Sequence, residues 1–339
     1  MALVVDPQQS AQRQWALDFL RADRPVALPT ETVYGLAGRV FSDLALSRIF
    51  ALKARPHFDP LIAHVSGIEM ARPLCTALDG IEEALMRAFW PGPLTILCQK
   101  SARVSELCTA GSPLVALRAP AHEVFASIIA ELGEPLAAPS ANRFQGISPT
   151  AYRHVLQELG PHGLDAVVDG GDCRLGIEST VVRVSGNSLQ VLRPGALPLE
   201  SLRDFAATRG LALEHVSSVL DERSMQHAPG QLAKHYSPTK PVRYVDREWT
   251  SRAWSEMTSQ DLCLFVDEGD LRTARECGLS STQPHVVLGA NSTEAASVLF
   301  RTLRAFDADA RYATLFAFAP SNEGLGLAIA DRLRRAAGS

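Results

Sequence analysis

Six stretches of this chain carry side chains suited to gripping an anion. "LPTETVYGLA" (28–37) sets the hydroxyls of Thr30, Thr32 and Tyr34 around the carboxylate of Glu31, directly behind an apolar run. "KARPHFDPLIAH" (53–64) carries Lys53, Arg55 and His64, and "LRAP" (117–120) carries Arg118. "APSANRFQGISPT" (138–150) contributes Ser140, Asn142 and Ser148; "GIESTVVRV" (176–184) adds Ser179 and Thr180, and "VLRPG" (191–195) adds Arg193. Four of these residues are cations able to meet phosphate or carboxylate oxygens, and the hydroxyls and amide can orient such groups. No Ser/His/Asp nucleophile pattern accompanies them, so the set fits an anionic substrate better than a hydrolytic triad.

Each residue also has an ordinary structural role open to it. Lys53 and Arg55 suit the solvated end of a helix, where cations favour the dipole. His64 fits a satisfied core histidine, Ser140 and Asn142 fit turns, and the Thr and Gly of "TETVYG" fit a strand-to-helix connection. Arg118 resists such a reading, because a guanidinium within a strand of Val, Ala and Leu requires a partner or an opening.

The elements that must position these residues alternate along the first two hundred positions. Runs at 25–29, 60–65, 94–99, 114–120, 135–139 and 165–171 read as strands, several too continuously apolar to have a solvated face. Helices are expected at 42–54, with Leu46, Ile49, Phe50 and Lys53 near one face, at 121–133 before Gly133, and at 150–160 with Thr150 as cap. Residues 179–195 form two alternating runs around Ser185-Gly186-Asn187, a hairpin. The region is therefore α/β with a mixed sheet, and ligands in such sheets collect where loops converge at strand ends.

Composition narrows the partners. With 339 residues, 46% of them hydrophobic, the chain can bury a large core and divide into two domains. A formal net charge of −4 gives no broad basic field for gripping a long nucleic acid. Six scattered cysteines without a CxxC pair, and histidines without HExxH spacing, predict reduced thiols and no structural zinc. The N-terminus lacks a signal-peptide pattern and no apolar run is long enough for a membrane span, so a cytoplasmic location is expected.

"LPTETVYGLAG", "KARPHFDPLIAHV", "FWPGPLTI", "VALRAP", "APSANRFQGISPT", "GIESTVV" and "LRPGAL", in this order over about residues 10 to 200, resemble the YrdC-like domain of the threonylcarbamoyl-AMP synthase family. The resemblance implies a twisted mixed-sheet domain with a concave pocket. It also implies synthesis of L-threonylcarbamoyladenylate from L-threonine, bicarbonate and ATP, with release of pyrophosphate. A separate transferase complex would pass the product to a tRNA adenosine next to the anticodon, and whether tRNA also binds this chain directly stays open. Carried over by position, Lys53 and Arg55 become the catalytic clamp on the triphosphate. Asp59, Ser140, Asn142, Ser148, Arg193 and Tyr236 add ATP contacts, while Thr32, His64, Arg118 and Ser179 form the threonine side, with Arg118 forked onto the carboxylate. Mg²⁺ would arrive with ATP without dedicated protein ligands, since a GxxxxGK[ST] loop is missing. Two rival readings are a double-stranded RNA-binding module and a carbamoyl-adenylate-forming domain.

After residue 200 the composition changes. A polar helix and a Ser/Pro/Gly/His-rich stretch (217–241) read as a linker, followed by renewed strand-and-helix alternation. The expected organisation is a synthase domain at 8–200, a linker at 201–240, and a small Rossmann-like three-layer domain with a parallel sheet at 241–339. "GLG" at 324–326 lacks the remainder of a dinucleotide fingerprint, which excludes NAD binding there. "HAPGQLAKHYSP" resembles the linker of long family members, in which the tyrosine approaches the nucleotide. It implies a lid over the pocket with Tyr236, flanked by Lys234 and His235, as its contact. The Gln231-Leu232-Ala233 interior departs from the family pattern.

Overall fold

The computed structural model describes residues 2–78, 80–216, 235–246, 254 and 256–338. Residues 217–234, which include Pro229, Gly230, Gln231 and Lys234 of the expected lid, lie outside that set.

Eleven strands among the described residues build the first sheet: β1 (Leu3–Val5), β2 (Val26–Leu28), β3 (Gly35–Arg39), β4 (Ile62–His64), β5 (Leu94–Gln99), β6 (Leu114–Arg118), β7 (Leu136–Ala137), β8 (Ala166–Val168), β9 (Thr180–Ser185), β10 (Ser188–Arg193) and β11 (Ala212–His215). Their spatial order is β1-β8-β2-β3-β7-β4-β6-β5-β9-β10-β11. Pairings such as β4 with β6 are parallel and those such as β5 with β6 antiparallel, so the sheet is mixed as the alternation of elements implies. Both of its faces are covered by apolar clusters, which is why β2 and β4 read as unbroken apolar runs.

Local sequence accounts for most of the framework. Ser42 caps the helix Asp43–Lys53, its side chain accepting from the Ala45 amide, and Gly133 ends the helix Glu123–Leu132 in the left-handed region. The hairpin β9–β10 turns at Gly186-Asn187. Thr150 is not the cap of the next helix: the chain is still extended at Ala151, which holds the cap position of Tyr152–Leu159, and Thr150 is buried. Nor does "TETVYG" lead into a helix. It joins β2 to the antiparallel β3, whose "GLAGR" sequence has too little β-branched character to announce a strand.

The first sheet continues beyond residue 200, because the helix Leu199–Ala207 packs on it and β11 pairs with β10. A linker therefore does not begin at 201. β12 (Val242–Val245), β13 (Asp261–Phe265), β14 (His285–Val287) and β15 (Thr314–Phe318) form a second, all-parallel sheet in the order β12-β15-β13-β14. The helices Ser292–Ala308 and Gly326–Ala337 pack against it. One apolar cluster spans both sheets' territories, joining Val33, Ile147, Ile177 and Ala196 to Tyr236, Leu299, Phe300 and Ile329. Gly176 sits in this seam at φ +72°, and a Cβ there would meet the Ser297 backbone at 2.6 Å.

Candidate active site

The strand ends converge on one narrow cavity, with about 50 Å³ of enclosed water-sized space inside about 510 Å³ that includes its open mouth. Thr32, Arg55, His64, Arg118, Ser140, Ser179, Arg193 and Tyr236 all line it, joined by Glu178 and His235. His64 ends β4, Arg118 ends β6, Ser140 follows β7, and Arg193 ends β10. Ser179 stands just before β9, brought alongside Arg193 by the hairpin. Gly195 permits that approach: a Cβ there would fall 2.4 Å from the Glu178 carbonyl oxygen.

The "TETV" loop divides its labour. Thr30 Oγ1 donates to the Val33 carbonyl at 2.6 Å and accepts from the amides of Thr32 and Val33, which fixes the turn. Thr32 and Glu31 instead hold Arg118. Its Nη1 donates to Thr32 Oγ1 at 3.0 Å, its Nη2 to Glu31 Oε1 at 2.7 Å, and its Nε to the Gly92 carbonyl at 3.2 Å. The guanidinium is therefore not the free fork expected from sequence. Three of its five N–H groups are engaged and two are unengaged among the described residues. Glu31, buried and receiving the Ala121 amide on its other oxygen, is a site residue the sequence reading did not assign. A carboxylate between two threonines behind a buried strand was its signal.

His64 lies against Phe125, with ring centroids 5.1 Å apart, and its Nδ1 faces the Ile62 carbonyl at 3.1 Å. Burial, reinforced by the neighbouring Arg118 charge, pushes its pKa down to about 3, so the imidazole is neutral. Across the cavity Arg55 is buried and fixed by Asp59 at 2.9 Å and by the Pro60 carbonyl at 2.8 Å. Burial depresses both Arg55 and Arg193, and Asp59 opposes that effect at Arg55. Arg193 Nη2 donates to the Ser179 carbonyl at 2.9 Å and its hydroxyl at 3.2 Å, while Ser179 Oγ lies 2.8 Å from Thr95 Oγ1.

Four expected contacts stand behind the cavity wall instead of on it. Lys53 donates from Nζ to the carbonyls of Ser140 and Asn142, both at 2.5 Å, and tethers the loop that carries Ser140. Its burial, with Arg55 adding repulsion, pushes its pKa down to about 7. Asp59 serves Arg55, Asn142 Nδ2 closes its own loop through the carbonyls of Arg143 and Gly146, and Ser148 Oγ donates to Glu178 Oε1 at 2.5 Å. Glu178 also receives Arg332 Nε at 3.0 Å. Neither partner was legible: "GIES" offered a serine as the obvious ligand, and "ADRLRRAAG" looks like a solvated helix end.

Tyr236 closes the cavity from the second domain's side. It holds φ +60°, packs 5.4 Å from Phe300 between ring centroids, and keeps a buried hydroxyl without a hydrogen-bond partner among the described residues. Burial raises its pKa to about 12 and drives that of His235 well below the usual imidazole range.

Residues 18–195 match the family model described as "Telomere recombination", and residues 199–338 match "Threonylcarbamoyl-AMP synthase, C-terminal domain". The threonylcarbamoyl-AMP synthase of Pyrococcus abyssi is 34% identical over 345 residues, covering 100% of this chain and 98% of the relative. The chain belongs to the threonylcarbamoyl-AMP synthase family. The Bacillus subtilis threonylcarbamoyl-AMP synthase is 33% identical, over 95% of this chain and 92% of its own. The crystal structure of P. abyssi Sua5 complexed with L-threonine matches the fold with a TM-score of 0.86 at 32% identity, covering 100% of this chain and 98% of that one. Among the described residues no helix is long and apolar enough to cross a membrane, and no group of three or more His, Cys, Asp or Glu side chains could hold a metal ion.

Proposed function

We propose that this threonylcarbamoyl-AMP synthase family member joins L-threonine, bicarbonate and ATP into L-threonylcarbamoyladenylate at the cavity between Arg118 and Arg193. The observation that carries this reading is the convergence of three buried guanidinium groups, Arg118, Arg55 and Arg193, on one cavity in which the His64 ring is bonded to the Ile62 carbonyl and not to a serine. The two open N–H groups of Arg118 take the threonine carboxylate, with Thr32 and the neutral His64 beside it; a neutral imidazole does not compete as a second cation. The threonine amine adds to the bicarbonate carbon, a C–O bond breaks, and that hydroxyl leaves as water with a proton from the amine, giving a carbamate. A carbamate oxygen then attacks the α-phosphorus, the bond to the β-phosphate oxygen breaks, and pyrophosphate leaves.

Arg55 and Arg193 balance the negative charge of the triphosphate, with Ser140, Ser179 and the Tyr236 hydroxyl as hydrogen-bonding groups around it. Lys53, Asp59, Asn142 and Ser148 act one step back by fixing the residues in front of them. Mg²⁺ would be held by the phosphates and water, because the one carboxylate that lines the cavity among the described residues, Glu178, is already engaged by Arg332 and Ser148. The product, a reactive mixed anhydride, calls for a transferase complex acting on tRNA as its consumer. Lys53, Arg55 and Arg118 are all buried, which takes away from the surface the three cations on which the double-stranded RNA-binding reading rested. The test is pyrophosphate release from purified protein given ATP and Mg²⁺, with threonine and bicarbonate omitted in turn; release that continues without threonine would overturn the proposal.

A further inference from the structure

Arg332 lies on the helix Gly326–Ala337 in the C-terminal domain and is wholly buried. Its guanidinium ties together the two neighbouring segments, around Glu178 and after Arg193, that meet at the synthase cavity. Nε donates to Glu178 Oε2 at 3.0 Å, and Nη1 donates to the Pro194 carbonyl at 2.5 Å and to Asp331 Oδ2 at 3.0 Å. Glu178 receives Ser148, Pro194 follows Arg193, and the guanidinium carbon stands 5.5 Å from the centroid of the Tyr236 ring. The same helix end holds the chain around Tyr236: the His235 amide donates to the Arg335 carbonyl, and Ser237 Oγ to that of Ala336. Every one of these tethers reaches the nucleotide side. Thr32, His64 and Arg118 are bonded instead to Glu31, Gly92, Ile62 and one another, all within the first domain.

Stability alone does not explain an arginine here. Burying a guanidinium is costly, and Arg332 Nη2 has no hydrogen-bond partner among the described residues, whereas an apolar side chain would fill the position without that cost. We propose that Arg332 is a positioning residue supplied by the C-terminal domain, which sets Glu178 with Ser148, Arg193 and Tyr236 in the geometry that accepts ATP and leaves the threonine subsite to the first domain. This rests on the reading of the two subsites given above.

The experiment uses the full chain as Arg332→Gln and Arg332→Lys, with Arg301→Ala as control. Arg301 makes an exposed contact between the domains, to Asp172 at 3.4 Å, away from the cavity. Binding of Mg-ATP and of L-threonine is measured separately by calorimetry, and pyrophosphate release is followed in parallel. Arg332→Gln should weaken ATP binding roughly tenfold or more while threonine binding stays within about twofold. Arg332→Lys, which keeps the charge and loses the fork, should fall between, and Arg301→Ala should match the wild type. A folded Arg332→Gln protein with both affinities unchanged, or both weakened alike, would overturn the proposal. Should Arg332→Gln fail to fold, Arg332→Lys decides, and an unaltered ratio of the two affinities overturns it. A wild-type protein that binds ATP but releases no threonine-dependent pyrophosphate refutes the reading of the site, while the affinity split still reports on Arg332.

Discussion

Lys53 ends a helix, where sequence allows either a solvated cation or a phosphate clamp, and the fold gives it a third use. Its amine is buried against two carbonyls of the loop that carries Ser140. Replacement by Met keeps the volume but orphans both acceptors, at about 1–3 kcal/mol for each buried carbonyl left unpaired. The loss should depend on pH. The unfolded chain holds the lysine proton to about 10.5, the folded chain only to about 7. Between those values the unfolded state binds more protons, so the wild type gains stability as pH rises and carries the full cost of a buried ammonium below 7. The wild type should therefore exceed Lys53→Met in urea-unfolding free energy by more at pH 9 than at pH 7. A gap that is constant or narrower at pH 9 would show that the amine is not depressed.

At the scale of elements, the sequence was most readable where one local signal suffices. Ser42, Gly133 and the Gly186-Asn187 turn each settle their own boundary, and the continuous apolar runs identify the strands buried on both faces. It was least readable where long-range pairing decides. β3 is a strand because β2 and β7 flank it, not because "GLAGR" prefers one, and Glu31 and Glu178 matter because Arg118 and Arg332 arrive from far along the chain. The segment around Tyr236 joins both cases: its motif was visible, but the left-handed backbone at Tyr236 and its seat on the last helix were not. Its buried, unpartnered hydroxyl costs the free protein stability and suits a group that a ligand completes. Tyr236→Phe should accordingly leave the melting temperature without ATP unchanged or raised, yet lower the stabilisation that saturating Mg-ATP gives. Equal ATP-induced shifts in melting temperature for the two proteins would mean that the hydroxyl never meets the nucleotide.

For the whole molecule, the division of the cavity between domains sets what each can do alone. The first sheet is complete with β11, so a chain ended after residue 216 retains every strand of that sheet together with Thr32, Glu31, His64 and Arg118. It loses Tyr236, Arg332 and the second half of the seam that buries Val33, Ile147 and Ile177. Glu178 would then face water, which removes the cost of an unpaired buried charge but also releases Ser148 and the 193–195 segment from their set positions. Ending the chain at 205 instead would cut the helix Leu199–Ala207 and remove β11, so loss of function there would mix damage to the sheet with loss of the closing segment. The fragment ending at 216 is expected to bind L-threonine within a few-fold of the full chain, to bind ATP at least roughly tenfold more weakly, and to form adenylate slowly with hydrolysis competing, because its cavity is open to water. Calorimetric titration with each ligand and measurement of adenylate accumulated per pyrophosphate released check all three. If the fragment matches the full chain in ATP affinity and in that yield, the nucleotide subsite belongs to the first domain alone, and the buried contacts of the last helix serve only to hold the domains together.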